Sequence, residues 1–590
     1  MSRATITWLA GPVARARTRE PFRLREAVRV GTRELPGEVV RMDTGEIVVQ
    51  IFEDTTGLRP GDAIEGTGQP LGIRLGPALL GGIFDGLMRS LDTAGGACAF
   101  EFVPEARAGE ALAAGSAFGQ ARAAGAAPGR AQSCLVPPGA GGEVTWIAAP
   151  GEYADDAIVA KLRGADGRPI ELAMSHFWPV RTPRPVAERL ASDEPLVTGQ
   201  RLLDSFFPVA LGGKAAIPGG FGTGKTVLLE ALAKACNADV IVYLGCGERG
   251  NEMAGVLDEF PRLEDPRTGR PLRERTVVIA NTSNMPVAAR EASIYTAVTV
   301  AEYFRDQGLA VALMADSTSR WAEALREVSG RLGELPGEGA YPTYLSSRIA
   351  DFYERAAKVR TLGGAVGSVT LLGSVSPPSG DFSEPVTSHT RRYVRSFWAL
   401  DTRRAQARFY PAVDPLQSYA EEADAMAAWW QRVYSELPAG ARRAASGANE
   451  WLELRRRFLT LLEDQARLER MARIIGKDAL PASQRLALFC ADLLNDAVLR
   501  QSAFSPVDRY AGPKRQAAMM RLVAHFIEQA EAALARGVAP ERIAAMAVVR
   551  PIARMGEEVA EGELERFAAL EARMESEFAA LEAGEAARAA

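Results

Sequence analysis

Eight consecutive residues carry the clearest chemistry in this chain. Gly219-Gly220-Phe221-Gly222-Thr223-Gly224-Lys225-Thr226 follows the pattern G-x4-G-K-[ST], between the apolar run KAAI and the helical stretch VLLEAL. Strand, glycine turn and helix in that order are the setting a phosphate-binding P-loop needs. The glycines let successive backbone N–H groups face phosphate oxygens at a helix N-terminus. Lys225 neutralises β/γ-phosphate charge, and the Thr226 hydroxyl can ligate Mg²⁺. A chance glycine turn is the plain alternative, and the strand-to-helix setting argues against it.

A metal at such a loop needs a carboxylate as well, and LAVALMADSTSRW offers Asp316 at the end of a buried apolar strand. Asp316 could instead cap the helix that follows, a common role for aspartate. With the P-loop present the ligand reading is favoured. The strand DVIVYL runs into GCGERGNE and carries Glu248 past the carboxyl edge of the sheet, where ligands collect in open α/β folds. A carboxylate there can polarise an attacking water. Arg249 beside it suits either a structural ion pair or a phosphate contact, while Cys246 reads as a small buried filler rather than a reactive thiol.

These residues need elements to hold them. From about Thr198 to Tyr419, apolar strands alternate with helices: KAAI, DVIVYL, TVVIA and LAVALMA as strands, VLLEALAKAC and VAAREASIYTAVTVAEYFRDQ as helices. That alternation predicts a mainly parallel sheet covered on both faces. Before it, short β-branched runs such as GEVVRM and EIVVQIFE between Gly and Pro turns predict a small N-terminal β-barrel. LGPALLGGIFDGLMRSLD, Leu75 to Asp92, has spacing that suits a short helix. An Ala- and Gly-rich stretch then reads as a β-rich insert. Its VPPGAGGEV hairpin resembles the sandwich of lipoyl and biotinyl carriers but has no lysine at the tip, which favours a structural insert. Beyond Ala420, Ala, Glu, Arg and Leu at helical spacing predict a C-terminal α-helical bundle. The expected division is a barrel over 1–71, a first part of the nucleotide-binding domain over 72–109, the insert over 110–190, the P-loop nucleotide-binding domain over 191–420 and the helical domain over 421–590.

Composition sets limits on function. At 590 residues, with 47% hydrophobic and 24% charged residues, the chain is too long for one core and too apolar for disorder. A formal charge of −5 gives no general attraction for nucleic acid or anionic lipid. Five scattered cysteines without a CxxC pair, and three histidines, fit a reduced cytosol better than a disulfide framework or a zinc site. The N-terminus lacks the apolar core of a signal peptide, and no apolar run of about 18 residues suggests that the chain enters a membrane.

GGFGTGKT, VYLGCGERGNEM, DPRTGRP, NTSNMPVAAREASIYT and LMADSTSRWAEALREVSGRLGELPGEGAYPTYL together resemble the catalytic A subunit of V/A-type rotary ATPases. The likeness runs from the N-terminal strands through MSHFWPVRTPRP to LRQSAFSPVD, nearly the whole chain. It implies a RecA-like P-loop domain that binds ATP or ADP with Mg²⁺ through Gly220, Phe221, Gly222, Thr223, Gly224, Lys225 and Thr226. Thr226 and Asp316 would hold the metal and Glu248 the water, with Arg249 near the phosphates. Tyr410 in FYPAVDPLQS is similar to the aromatic that stacks on adenine in F-type relatives, and Phe504 in QSAFSPVD would be the second face. Thr223 stands where eukaryotic members often carry cysteine, so inactivation by oxidation of that thiol should be missing.

The implied partners are a homologous B subunit in an alternating A3B3 ring, which supplies an arginine finger, together with central rotor and peripheral stalk subunits. The complex would be peripheral on the cytoplasmic face of a membrane, moving H⁺ or Na⁺ through other subunits. Two other classes compete. A non-catalytic ring subunit should lose the P-loop lysine or the water-polarising carboxylate, and Lys225 and Glu248 are both present. A hexameric secretion or RNA-translocating ATPase would share the core but not the insert, and the acidic balance argues against RNA.

Overall fold

The computed structural model describes residues 2–91, 99–124, 130–250, 263–437 and 449–589. The chain divides into two compact units. One comprises Met1–Ala191, Leu211–Ala216 and Ala238–Val394, the other Ser192–Ala210, Ile217–Asn237 and Arg395–Ala590.

In the first unit, β1 (Arg3–Ala10), β2 (Val13–Thr18), β3 (Glu26–Val30), β4 (Leu35–Asp43), β5 (Glu46–Ile51) and β6 (Ala63–Pro70) close a barrel in the order β1-β2-β5-β4-β3-β6. The period-two pattern explains the closure, since Ile47, Val49 and Ile51 point inward and meet Ile6, Val28, Val39 and Ile64 in one core. The predicted short helix after the barrel does not form. Pro77–Leu79 makes one 3-10 turn, Gly81 takes φ 80, and β7 (Ile83–Phe84) joins the edge of a parallel sheet. Glycines and a proline at this density cost a helix more than its apolar spacing returns.

The insert is a sandwich of two four-stranded antiparallel sheets. It takes in Ala99–Pro104, which lies before the expected start at Glu110, because Phe100 and Phe102 belong to its core. Its small residues have a packing reason: a β-carbon on Gly119 would stand 2.4 Å from Phe102 Cε2.

The sheet that positions the chemistry contains β8 (Val240–Glu248), β9 (Thr276–Thr282), β10 (Ala310–Asp316) and β11 (Val366–Val375), in the parallel order β11-β10-β8-β9-β7. The strand that begins at Lys214 lies next to β11, and Ala357–Arg360 pairs antiparallel on it. Helix α1 (Val287–Asp306) is buried along nearly its whole length against β8 and β10. It is followed by α2 (Thr318–Leu332) and α3 (Leu345–Tyr353). Arg181 fastens the barrel to this layer, donating to Glu38 on β4 at 3.0 Å and to Glu291 on α1 at 2.7 Å.

In the second unit the P-loop helix, Lys225–Ala235, accompanies a helical assembly built on α4 (Glu450–Ile475), α5 (Pro513–Ala535) and α6 (Glu565–Ala589). Asn449 caps α4 by accepting from Leu452 N, and Trp451 stacks on Trp430 at 5.5 Å between ring centroids. The buried Arg201 pairs with Asp508 and donates to the Val498 carbonyl at 2.9 Å, so a full charge is held by a carboxylate and backbone oxygens. Among the described residues, no helix is long and apolar enough to cross a membrane.

Candidate functional site

The P-loop has the backbone its glycines predict. Gly222 and Gly224 take φ 76 and 85, in the left-handed region that a side chain adopts only at a cost, and Gly224 occupies the N-cap of the helix starting at Lys225. Thr223, buried, closes the loop by donating to the Gly220 carbonyl at 2.8 Å. Lys225 Nζ donates to the carbonyls of Gly219 and Gly220 at 2.6 and 3.1 Å, so its ammonium lies over the loop. Thr226 is half-buried in the first helical turn, and Phe221 is exposed at the loop tip.

The same unit gathers the two aromatic residues around this loop. A cavity of about 860 Å³ is lined by Gly222, Gly224, Val227, Tyr410 and Phe504. Tyr410 is partly exposed and Phe504 almost fully exposed into it. Gln501, unnoticed in the sequence, fixes both loops. Its backbone N–H donates to the Tyr410 carbonyl at 2.8 Å, while its amide reaches the carbonyls of Gly199 and Asp508 and accepts from Arg201 N at 2.7 Å. Arg408, Arg500 and Arg554 also line the cavity and add cationic groups that sequence reasoning missed. Arg408 holds φ 56, a strained position for a residue with a side chain. Only the position of Arg500 directly before QSAFSPVD could have flagged one of them.

In the first unit, Glu248 and Asp316 end neighbouring parallel strands, with Gly245 of β8 in register with Asp316. Both therefore stand at the carboxyl edge of the sheet. Asp316 is 2% exposed and accepts from the Ser374 hydroxyl at 2.5 Å. The N-cap position of α2 is Ser317 rather than Asp316, and the Ser317 side chain makes no capping hydrogen bond. Glu248 is half-buried, and Arg249 follows it on the surface.

Two arginines not singled out from the sequence stand beside Glu248. Gly247 takes φ 73, and a β-carbon there would meet Arg320 Cβ at 2.7 Å and Arg290 at 3.0 Å. Only glycine lets the two arginines pack over the strand end. The signal for Arg320 was present in the sequence: it is four residues beyond Asp316, in the first turn of the helix leaving that strand. Burial pushes the Cys246 thiol up to about 12, in agreement with an inert filler.

A P-loop on a helix N-terminus, an adjoining cavity with two aromatic walls, and acidic residues ending parallel strands define the class of P-loop nucleotide-binding proteins. Family models refine this. Residues 199–420 match the nucleotide-binding domain of the ATP synthase alpha/beta family and residues 444–543 the C-terminal domain of V and A type ATP synthase. Residues 91–181 match the family's barrel-sandwich domain and residues 7–68 its beta-barrel domain. The A subunit of the A-type ATP synthase of Methanopyrus kandleri is 48% identical, over 93% of each chain. The V-type ATP synthase alpha chain of Halothermothrix orenii is 43% identical over 97% of this chain and 98% of that one. The chain belongs to the ATP synthase alpha/beta family, and within it to the A subunits of the A- and V-type ATP synthases. A solved structure of the assembled ATPase EscN from the type III secretion system of enteropathogenic E. coli shares the fold, with TM-score 0.63 and 21% identity over 88% of this chain and 99% of that one.

Proposed function

We propose that this chain is the catalytic, nucleotide-binding subunit of a rotary ATPase, hydrolysing or synthesising ATP where it meets a homologous B subunit in an A3B3 ring. The observation that carries this reading is the single cavity lined by the P-loop glycines, Tyr410 and Phe504. It has the volume and the mixed aromatic and polar lining of a nucleotide site. The expected division into barrel, insert, nucleotide-binding and helical domains is part of this reading.

Each residue has a role set by its chemistry. Backbone N–H groups from Gly220 to Gly224 cradle the phosphates, with Phe221 at the loop tip and Thr223 holding the loop closed. Lys225 leaves the loop carbonyls for the β/γ-phosphate oxygens, a gain in charge neutralisation over two neutral acceptors. Tyr410 and Phe504 take the adenine between them. Thr226 and Asp316 present hydroxyl and carboxylate oxygens, the hard donors that suit Mg²⁺, and the Ser374 hydroxyl keeps the Asp316 carboxylate oriented. Magnesium, when bound, supplies neutralisation of the phosphate charge. Glu248 orients and polarises the attacking water, and Arg249 contacts a phosphate.

The arginine finger comes from the B subunit, so the chain by itself is a poor enzyme. The helical domain bears on the central rotor and converts nucleotide-driven closure into torque. The insert faces the peripheral stalk, and the assembly sits on the cytoplasmic face of a membrane whose ion-conducting sector is formed by other subunits. The test compares ATP turnover of the purified chain with that of the chain reconstituted with its B subunit. An arginine finger in trans predicts a gain of roughly 10³-fold or more. Equal rates would overturn the shared-site reading.

A further inference from the structure

A second cavity, of about 310 Å³, lies in the first unit and takes no part in the chemistry above. Its lining is unusual in charge, with seven arginines against three carboxylates. Most of these arginines are already engaged. Arg181 is shared between Glu38 and Glu291, Arg355 is held by Glu302, and Arg189 pairs with Glu354. Two are not: among the described residues, neither Arg25 nor Arg348 has a carboxylate within ion-pair distance. The guanidinium of Arg348 lies instead over the Tyr344 ring at 5.6 Å.

The strongest pointer is Tyr295 of α1. It lines the cavity and is 4% exposed, yet its hydroxyl has no hydrogen-bond partner. A buried hydroxyl left unpaired costs free energy that a bound acceptor would restore. Its ring is fixed by the Arg181 guanidinium at 4.8 Å and by Trp321 packed edge-on at 6.3 Å, so the hydroxyl cannot swing out to water. Burial pushes its pKa up to about 12, which keeps it a donor. Arg25 adds an independent sign. It holds φ 66, a conformation that glycine adopts at lower cost, at a position lining the same cavity.

We propose that this cavity is a binding site for a phosphoryl-class oxyanion, with the Tyr295 hydroxyl and the guanidinium groups of Arg25 and Arg348 as its donors. Planar guanidinium groups suit the paired oxygens of such an anion. The third carboxylate of the lining, Asp351, selects within the class. It repels a fully ionised anion but accepts a hydrogen bond from one that carries its own proton, and hydrogen phosphate does so at neutral pH while sulfate does not.

The test uses the full chain carrying Lys225→Ala, which removes the P-loop ammonium as a competing phosphate ligand. Inorganic phosphate and sulfate are titrated by calorimetry at neutral pH and constant ionic strength. Saturable binding of one phosphate per chain is expected, with sulfate weaker. Adding Arg348→Ala should weaken binding about tenfold or more, and Tyr295→Phe about threefold to tenfold, from the worth of charge-assisted and neutral hydrogen bonds. Tyr295→Phe keeps the ring and its Arg181 contact, so its melting temperature without phosphate should be unchanged or higher, while the rise on adding phosphate shrinks. No saturable binding below about 10 mM, affinity that neither substitution changes, or sulfate binding as tightly as phosphate would each overturn the proposal.

Discussion

The ring of Tyr410 packs against Gly224 of the P-loop: a β-carbon at position 224 would stand 3.5 Å from Tyr410 Cε1. Within one unit, the residue that ends the phosphate loop and the aromatic proposed for the base are neighbours. The proposed phosphate and base subsites are therefore contiguous, and the base side can be tested alone. Tyr410→Ala should weaken ATP binding by about 1–3 kcal/mol, the worth of stacking one base on an aromatic ring, while Tyr410→Phe stays near wild type. Equilibrium titration with a fluorescent ATP analogue reads the difference. Unchanged affinity in the alanine variant would leave Tyr410 as packing for the loop.

Arg181 should be a sensitive structural position in the first unit. Its side chain is 10% exposed and satisfies two carboxylates, Glu38 and Glu291, that are 2% and 5% exposed. Removing one partner from such a buried group leaves charge without compensation and costs about 3–5 kcal/mol. Burial already holds the Glu38 carboxyl above its usual range, against the pull of Arg181. The folded form thus binds the Glu38 proton more tightly than the unfolded chain does, and the penalty of ionised Glu38 is relieved as pH falls. Urea unfolding of Arg181→Ala should show a large loss of stability at about pH 8 and a smaller one at about pH 5. A loss that does not depend on pH would assign the effect to packing alone.

Much of this architecture was legible because it rests on local rules. The P-loop could be read since Gly222 and Gly224 need a positive φ that few other residues tolerate, and the barrel since Ile47 and Val49 alternate with the less buried Glu46 and Val48. Glu248 and Asp316 stand out in the sequence because each ends an apolar strand. Contacts between distant segments were less visible. Gln501 reaches Tyr410 across some ninety residues, and nothing in its local sequence marks it as the support for that loop. The insert's first strand was hidden because a change in composition at Glu110 looked like a boundary, whereas Phe100 and Phe102 join the sandwich core by pairing with later strands. The expected helix over Leu75–Asp92 failed because apolar spacing was weighed above the glycines that break it.

Thiol chemistry offers a prediction of a different kind. Burial pushes the thiols of Cys134, Cys246 and Cys490 up to about 12, and all three are buried. Cys98 lies outside the described residues, and the P-loop carries Thr223 instead of a thiol. Native chain treated with a maleimide at about pH 8 should keep these three cysteines unlabelled by peptide mass spectrometry, because the reactive species is the thiolate. ATP hydrolysis by the assembled complex should survive the same treatment. Loss of activity together with labelling of Cys246 would show that the strand end beside Glu248 opens in solution.

The central claim is that this chain carries out the chemistry on its phosphate rather than merely holding it, and that claim rests on Glu248. Glu248→Gln keeps the size and most of the hydrogen bonding but removes the negative charge proposed to polarise water. The proposed Mg-ATP ligands, Lys225, Thr226 and Asp316, are left in place. The decisive measurement is ATP turnover and ATP affinity of Glu248→Gln in the assembled ring, where a missing arginine finger cannot mask the effect. Near-normal affinity with turnover reduced by at least about 10²-fold is the predicted result, the lower end of what loss of a general base costs. Hydrolysis at the wild-type rate would contradict the account and move the catalytic carboxylate elsewhere.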